Sequence, residues 1–250
     1  MLALITGATS GIGKESAIIL LEKGWNVIAV GRNKSALSDL KRQYGEKVTT
    51  VVCDLADTKQ CFKLYETFKN SSVDMLVNNA GFGAFGKFWE VPLEKELDMI
   101  NVNLKSLHIL MKLFLKDFVA RDSGIILNVA SSAGFLAGPL MATYYATKNY
   151  VVSLSVAVNE ELRRNKSKVR ISVLCPGPVD TNFNNTAGVQ FSVKPLSARK
   201  VAEEGIKGAL EKKSIIIPGY EMKAGVAFSQ LIPKNISAAI TYNIQKSKLH

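Results

Sequence analysis

The sequence predicts an α/β fold: a doubly wound, mostly parallel sheet of seven strands with helices covering both faces. Three observations carry this. Seven short apolar runs recur along the 250 residues, separated by helix-length segments; strands buried on both faces read as such runs and not as strict alternation. The first run leads into a glycine-rich turn, GATSGIG, which opens an amphipathic stretch. No internal repeat or low-complexity linker divides the chain, so 1–250 is expected to form one domain.

Composition narrows the class. With 47% hydrophobic residues and a mean hydropathy of +0.11, global disorder is excluded. Cys53, Cys61 and Cys175 are too few and too scattered for a disulfide framework or a zinc site, and each sits in or near an apolar segment as a small packed thiol. No metal is expected. Met1 runs almost directly into an apolar strand, without a basic leader or an apolar stretch of membrane-spanning length, so a soluble, cytoplasmic protein is expected. The net charge of +11 is spread over predicted helix faces without arginine and aromatic interleaving. Neither a nucleic acid nor a membrane is expected as partner, although some excess charge would attract a polyanionic ligand.

The elements follow in order. Residues 2–6 form the first strand, and 14–24 the first helix, ending at Gly24. Between them Gly7, Gly11 and Gly13, with Thr9, Ser10 and Ile12 interspersed, let backbone approach a diphosphate while the helix N-terminus offers unpaired N–H donors. The second strand, 26–30, ends before Arg32. In dinucleotide folds an acidic residue here faces the ribose hydroxyls, whereas an arginine pairs a 2′-phosphate; Arg32 therefore points to NADP(H) over NAD(H). A helix at 34–44 leads to strand 48–53, closing in Asp54 and Leu55, where an acidic side chain can meet the adenine amino group. Asp57 caps the next helix, which runs to about 69. Strand 74–77 delivers Asn78, Asn79, Ala80 and Gly81 at its C-terminal end, where such sheets bind ligands.

Phe82, Phe85, Phe88 and Trp89 then cluster among glycines, either lining a mouth or packing in the core. A helix at 95–118 precedes strand 124–130, which places Ser131 at its end. A long helix extends to about 164, and strand 169–175 runs into the turn PGPVDT. Residues 182–196 lack periodicity and read as a cover over a ligand; a helix at 200–212, a seventh strand at 214–218 and a helix at 220–232 follow. The tail, 233–250, is mixed apolar and basic and is expected to pack on the domain.

The chemistry concentrates in 131–148, SSAGFLAGPLMATYYATK. Tyr144 and Lys148 are four apart, so a helix stacks them on one face; Tyr145 and Tyr150 have no cation at that spacing. A nearby cation lowers a phenol from its usual pKa of about 10 and makes it a usable general acid/base.

Together, TGATSGIG at 6–13, NNAG at 78–81, a serine preceding YYATK at 144–148, and Pro176 with Gly177 resemble the short-chain dehydrogenase/reductase family, in the family's order, across about residues 2–181. The resemblance implies a Rossmann-like fold and reversible hydride transfer between a nicotinamide cofactor and a carbonyl or alcohol substrate. It implies Tyr144 as catalytic acid/base, Lys148 as its partner and a ligand of the nicotinamide ribose, and Ser131 as the serine, with Ser132 as fallback. Asn103 matches the family's further asparagine, with Asn101 as alternative and Ser106 where a glycine is frequent. Pro176, Gly177, Val179 and Thr181 would meet the nicotinamide. A homodimer or homotetramer is implied through the Asn103 and Tyr144 helices. Few charged residues occur in 82–93, 133–143 or 182–193, which points to an apolar substrate. A non-enzymatic NADP(H)-sensing or scaffold protein on the same fold is the competing expectation; the presence of serine, tyrosine, lysine and asparagine together favours the enzyme.

Overall fold

A computed structural model of the chain describes residues 1–181, 183 and 195–246. Seven strands form one sheet in the order β3-β2-β1-β4-β5-β6-β9, and every pairing is parallel. They are β1 (Leu2–Thr6), β2 (Asn26–Gly31), β3 (Val48–Val52), β4 (Met75–Asn78), β5 (Ile125–Val129), β6 (Arg170–Leu174) and β9 (Ile215–Ile216). A second, two-stranded sheet pairs β7 (Val179–Asp180) with β8 (Leu196–Ser197), a pairing with no apolar run to announce it.

Period-2 side-chain direction builds the core on both sides of the sheet. Ala3 and Ile5 of β1, with Val27 and Ala29 of β2, pack beneath α1 (Gly11–Glu22), α2 (Lys34–Tyr44) and α7 (Ala198–Leu210). Leu4, Ile28, Val30 and Leu76 point the other way, onto α3 (Thr58–Phe68), α5 (Leu107–Ala120) and α6 (Ala142–Arg164), where Phe114 and Phe118 are the largest buried side chains. Helix starts are set chemically. Asn33 accepts from the Ala36 N–H at 3.1 Å, Asp57 from Lys59 at 2.9 Å, and Ser197 from Lys200 at 3.2 Å.

Two expectations change, one gains detail and one lies mostly outside the described residues. The helix expected at 95–118 is α4 (Leu93–Ile100), a π-helical turn (Asn101–Ser106) and α5. The wide turn coincides with Asn103, whose side chain is engaged by the backbone of Phe82, a tertiary bond that helical periodicity does not encode. The strand expected at 214–218 pairs only at Ile215 and Ile216, since Pro218 has no N–H and Gly219 turns at φ +84°. The tail, beyond α8 (Tyr220–Ser229), packs on the domain through Gln245 as a further helix, α9 (Lys234–Lys246), starting just after Pro233. Of the expected cover at 182–196, positions 182 and 184–194 lie outside the described residues.

Because β1 lies between β2 and β4, connections leave it in opposite directions, and a crevice opens at the C-terminal ends of β1 and β4. Beneath it, Asn78 of β4 donates to Asn128 of β5 at 3.0 Å, and Asn128 donates to Ser155 of α6 at 2.9 Å, all three buried. Asn128→Leu leaves the Asn78 amide and the Ser155 hydroxyl without this partner, and unfolding in urea should show a stability loss of about 1–3 kcal/mol with an unchanged slope. A loss under a few tenths of a kcal/mol would mean the chain of amides does not support the sheet.

Candidate active site

The glycine turn is built for close approach. Gly7 and Gly11 hold φ of +67° and +52°, where a side chain is strained. A Cβ on Gly13 would lie 2.3 Å from the Gly7 carbonyl oxygen and from Asn79 Nδ2; one on Gly31 would lie 2.5 Å from Thr9 Cγ2. Gly13 therefore serves packing between turn and helix and does not border the cleft, whereas Gly7, Thr9, Ser10, Gly11 and Ile12 do. Asn79 latches the turn. Its Nδ2 donates to the Thr6 carbonyl at 3.0 Å and the Gly7 carbonyl at 3.3 Å, while the N–H groups of Asn79 and Ala80 donate to Thr6 Oγ1 at 2.9 and 3.1 Å. Ser10, the N-cap of α1, places no side-chain oxygen on the helix N–H groups, which leaves that end to an anionic group.

From this turn a cleft of 560 Å³ runs across the strand ends, a volume suited to a small ligand or cofactor. Arg32, exposed, borders it at the end of β2, and Asp54, Leu55, Ala80 and Gly81 line its floor. Asp54 Oδ1 accepts from the Ala56 N–H at 3.1 Å. Pro176, Gly177, Val179 and Thr181 close the far wall. Ser131 and Ser132 both border the cleft but differ in bonding. Ser131 Oγ accepts from the Ala133 N–H at 3.2 Å and donates to the Pro176 carbonyl at 3.4 Å, whereas Ser132 is held through its backbone N–H on that same carbonyl at 2.8 Å.

Tyr144 and Lys148 stand one turn apart on α6, both buried, with Nζ 5.9 Å from the phenol ring centroid. The ammonium, however, donates to the Val129 carbonyl at the end of β5, 2.9 Å away. Burial lowers Lys148 to about 8, and burial raises the Tyr144 phenol above its usual range, with the Ser131 hydroxyl drawing it part of the way back. The expectation that the cation lowers the phenol is thus reversed among the protein's own groups, because desolvation outweighs a charge whose hydrogen bond goes to a backbone carbonyl.

Asn103 does not border the cleft. Buried in the π-turn, it accepts from the Phe82 N–H at 3.0 Å and donates to the Phe82 carbonyl at 2.8 Å and to Thr147 Oγ1 at 3.2 Å. A Cβ on Gly81 would approach both Asn103 Oδ1, at 3.0 Å, and Lys148 Nζ, at 3.4 Å, so the asparagine, the loop after β4 and the lysine are tightly packed together. Asn101, the alternative, does not border the cleft either.

The other end of the cleft is lined by Tyr145, set aside above in favour of Tyr144, by Phe183 of the expected cover, and by residues the sequence did not single out: Met141, Met222, Ile244 and Gln245. Phe82 borders it, Phe85 packs with the cluster around Tyr144, and Phe88 and Trp89 are exposed. Gln245 comes from α9, in a stretch whose mixed composition gave no signal. Among the described residues, no group of three or more His, Cys, Asp or Glu is placed to hold a metal, and no helix is long and apolar enough to cross a membrane.

A family model described as short chain dehydrogenase matches residues 1–190. The very-long-chain 3-oxoacyl-CoA reductase of Mycosarcoma maydis is 34% identical over 181 residues, 69% of this chain; the chain spans only 51% of that relative's length. Among solved structures, a short-chain dehydrogenase from Sphingobium yanoikuyae in complex with NADPH superposes with a TM-score of 0.83 at 25% identity, covering 91% of each chain. A short chain dehydrogenase/reductase from Burkholderia phymatum in complex with NAD gives 0.81 at 27% identity, covering 90% of this chain and 91% of that one.

The Lys148 shift has a signed consequence. Between about 8 and its ordinary 10.5, the unfolded chain holds a proton that the folded chain has released, so this residue's contribution to stability rises with pH across that window, by about 3 kcal/mol. Three buried thiols act oppositely above their ordinary 9: burial pushes Cys53 up to about 11 and Cys61 and Cys175 to about 12, so folding holds their protons and stability falls. The comparison with Lys148→Met isolates the lysine. Urea unfolding should show the stability difference moving toward the wild type as pH rises from 8 to 10.5, and a difference independent of pH would refute a desolvated ammonium.

Proposed function

The chain belongs to the short-chain dehydrogenase family, and from that premise we propose that it is an NADP(H)-dependent oxidoreductase that interconverts a ketone or aldehyde with an alcohol on an apolar substrate. The observation that carries this is that Ser131, Tyr144 and Lys148 line one cleft with the glycine turn. The residues present fit a dinucleotide: a Cβ at Gly7 would come within 2.7 Å of Asn79, and the uncapped start of α1 suits a diphosphate. When bound, the nicotinamide supplies or takes up the hydride.

In this reading Gly7, Thr9, Ser10, Gly11 and Ile12 hold the diphosphate, with Gly13 shaping the turn from behind. Arg32 pairs the 2′-phosphate, Asp54 and Leu55 meet the adenine, and Asn79, Ala80 and Gly81 lie against the ribose. Pro176, Gly177, Val179 and Thr181 orient the nicotinamide. Ser131 donates to the substrate oxygen as negative charge grows there, and Tyr144 gives that oxygen its proton in the reduction direction. Lys148, anchored on Val129, favours the phenolate that this transfer leaves, and touches the nicotinamide ribose. Asn103 acts by position: it holds Phe82 and Thr147, and through them the packing around Lys148.

Apolar lining by Met141, Phe183 and Met222 supports a lipophilic carbonyl substrate, as does the acyl substrate in the Mycosarcoma relative's name. Exposed Leu93, Leu97 and Val119 on α4 and α5 support a homodimer or homotetramer.

Two outcomes test this. Tyr144→Phe should lower kcat in a carbonyl-reduction assay by about 10²–10⁴-fold, with NADPH affinity by fluorescence nearly unchanged; near-normal turnover removes Tyr144 from the mechanism. Arg32→Ala removes a charge-assisted bond and should weaken NADPH by about 10–100-fold while barely altering NADH, and equal losses for the two cofactors refute phosphate recognition.

A further inference from the structure

The helix α9 faces the protein with the unexpected side. Ser237, Thr241 and Gln245, spaced four apart, are 6%, 6% and 2% exposed, whereas Ile236, Ile240 and Ile244, at the same spacing, are 51%, 46% and 54% exposed. Helices ordinarily bury their apolar stripe. Thr241 satisfies its hydroxyl within the helix, donating to the Ser237 carbonyl at 2.8 Å. Gln245 instead reaches a residue 100 positions earlier: Nε2 donates to the Tyr145 hydroxyl oxygen at 2.8 Å, and lies 3.8 Å from Met141 Sδ.

A buried amide costs stability unless it is bonded, and a leucine of similar size would pack against Met141 and Tyr145 without that requirement. One contribution of the amide is therefore to the Tyr145 phenol. That phenol has one hydrogen to give and two lone pairs to accept with. Gln245 occupies the accepting side, so the O–H is kept for donation. Tyr145 and Gln245 both border the cleft, and the Tyr145 ring stands edge-on to that of Tyr144 with centroids 6.1 Å apart. A second hydroxyl donor thus sits beside the site of proton transfer, among the otherwise apolar side chains of Met141, Phe183 and Met222.

We propose that Tyr145, set by Gln245, is a second polar subsite that takes an acceptor oxygen of the substrate distinct from the reacting carbonyl. The substrate class is then a carbonyl compound bearing a nearby ester, thioester or amide oxygen on an apolar chain. This rests on Tyr144 being the proton-transfer residue, and it goes beyond that reading by fixing what else the substrate must carry.

The experiment compares a β-keto ester with a chain-matched simple ketone, in wild type, Tyr145→Phe, Gln245→Leu and the double variant, with NADPH saturating. The wild-type ratio of kcat/KM, ester over ketone, should fall about tenfold in each single variant, mainly through KM for the ester. The double variant should fall no further than the worse single, because the two side chains act as one unit. A ratio unchanged in Tyr145→Phe, or additive losses in the double variant, overturns the subsite. Tyr145→Phe keeps the ring in place, so the result survives if Gln245→Leu fails to fold. Binding of ester and ketone to the NADPH complex, followed by cofactor fluorescence, separates this from the redox reading. A preference for the ester that the variants abolish upholds the subsite even without turnover, in which case only the redox assignment falls; no preference overturns the subsite itself.

Discussion

An ammonium group inside the protein is the constraint around which this cleft is arranged. Lys148 is 4% exposed, and its hydrogen bond is to the carbonyl of Val129, the last residue of β5. Removing a cation from water is expensive unless polar groups replace the solvent. Here the replacement comes from a strand end, which has a carbonyl to spare because the sheet's ladder stops there. The neighbours conform to the lysine. Gly134, in the short 3₁₀ turn after β5, admits no Cβ, since one would lie 2.8 Å from the Lys148 carbonyl oxygen; Gly81 likewise sits against Nζ. α6, β5 and the loop after β4 are thereby fixed to one another at the point where chemistry is placed.

The same burial sets the electrostatics. A phenol and an ammonium in one desolvated pocket each resist being charged: the phenol's pKa moves up and the lysine's down. Each would be relieved by the other's charge, so the phenolate and the ammonium favour one another. The Ser131 hydroxyl acts against that burial, drawing the Tyr144 phenol's pKa down. Ser131 is placed for this by extended backbone at the strand exit, φ −171°, with its oxygen fixed by the Ala133 N–H.

How much of this the sequence disclosed follows from the range of the interactions involved. The seven strands were legible because each is a local apolar run, and the Tyr144–Lys148 relation because it is one helical turn. The glycine turn was legible because positive φ at Gly7 and Gly11 demands glycine. Ser131 against Ser132 could not be separated by composition, since the difference is where each points on leaving β5. The π-turn at Asn101–Ser106 depends on a bond to Phe82, 21 residues away, and the direction of the Lys148 bond on a carbonyl 19 residues away. Short-range patterns carry no record of either. Gln245 was invisible for the same reason at larger scale, as its partner lies 100 residues earlier.

That division of range has a physical basis in the fold itself. The half of the cleft that suits a dinucleotide is made by strand ends and the turns immediately following them, positions that the parallel sheet fixes whatever else the chain does. Around the glycine turn that half demands small residues at particular places. The opposite half is assembled from the start of α6 and two helices after β9, which meet the short 3₁₀ turn after β5 and the start of α6. Side chains there can change without disturbing strand pairing. Tyr145 belongs to both halves in sequence, adjacent to Tyr144, but to the second in its bonding. A contact between neighbouring residues thus joins the buried Tyr144 ring to an amide supplied from 100 positions further along the chain.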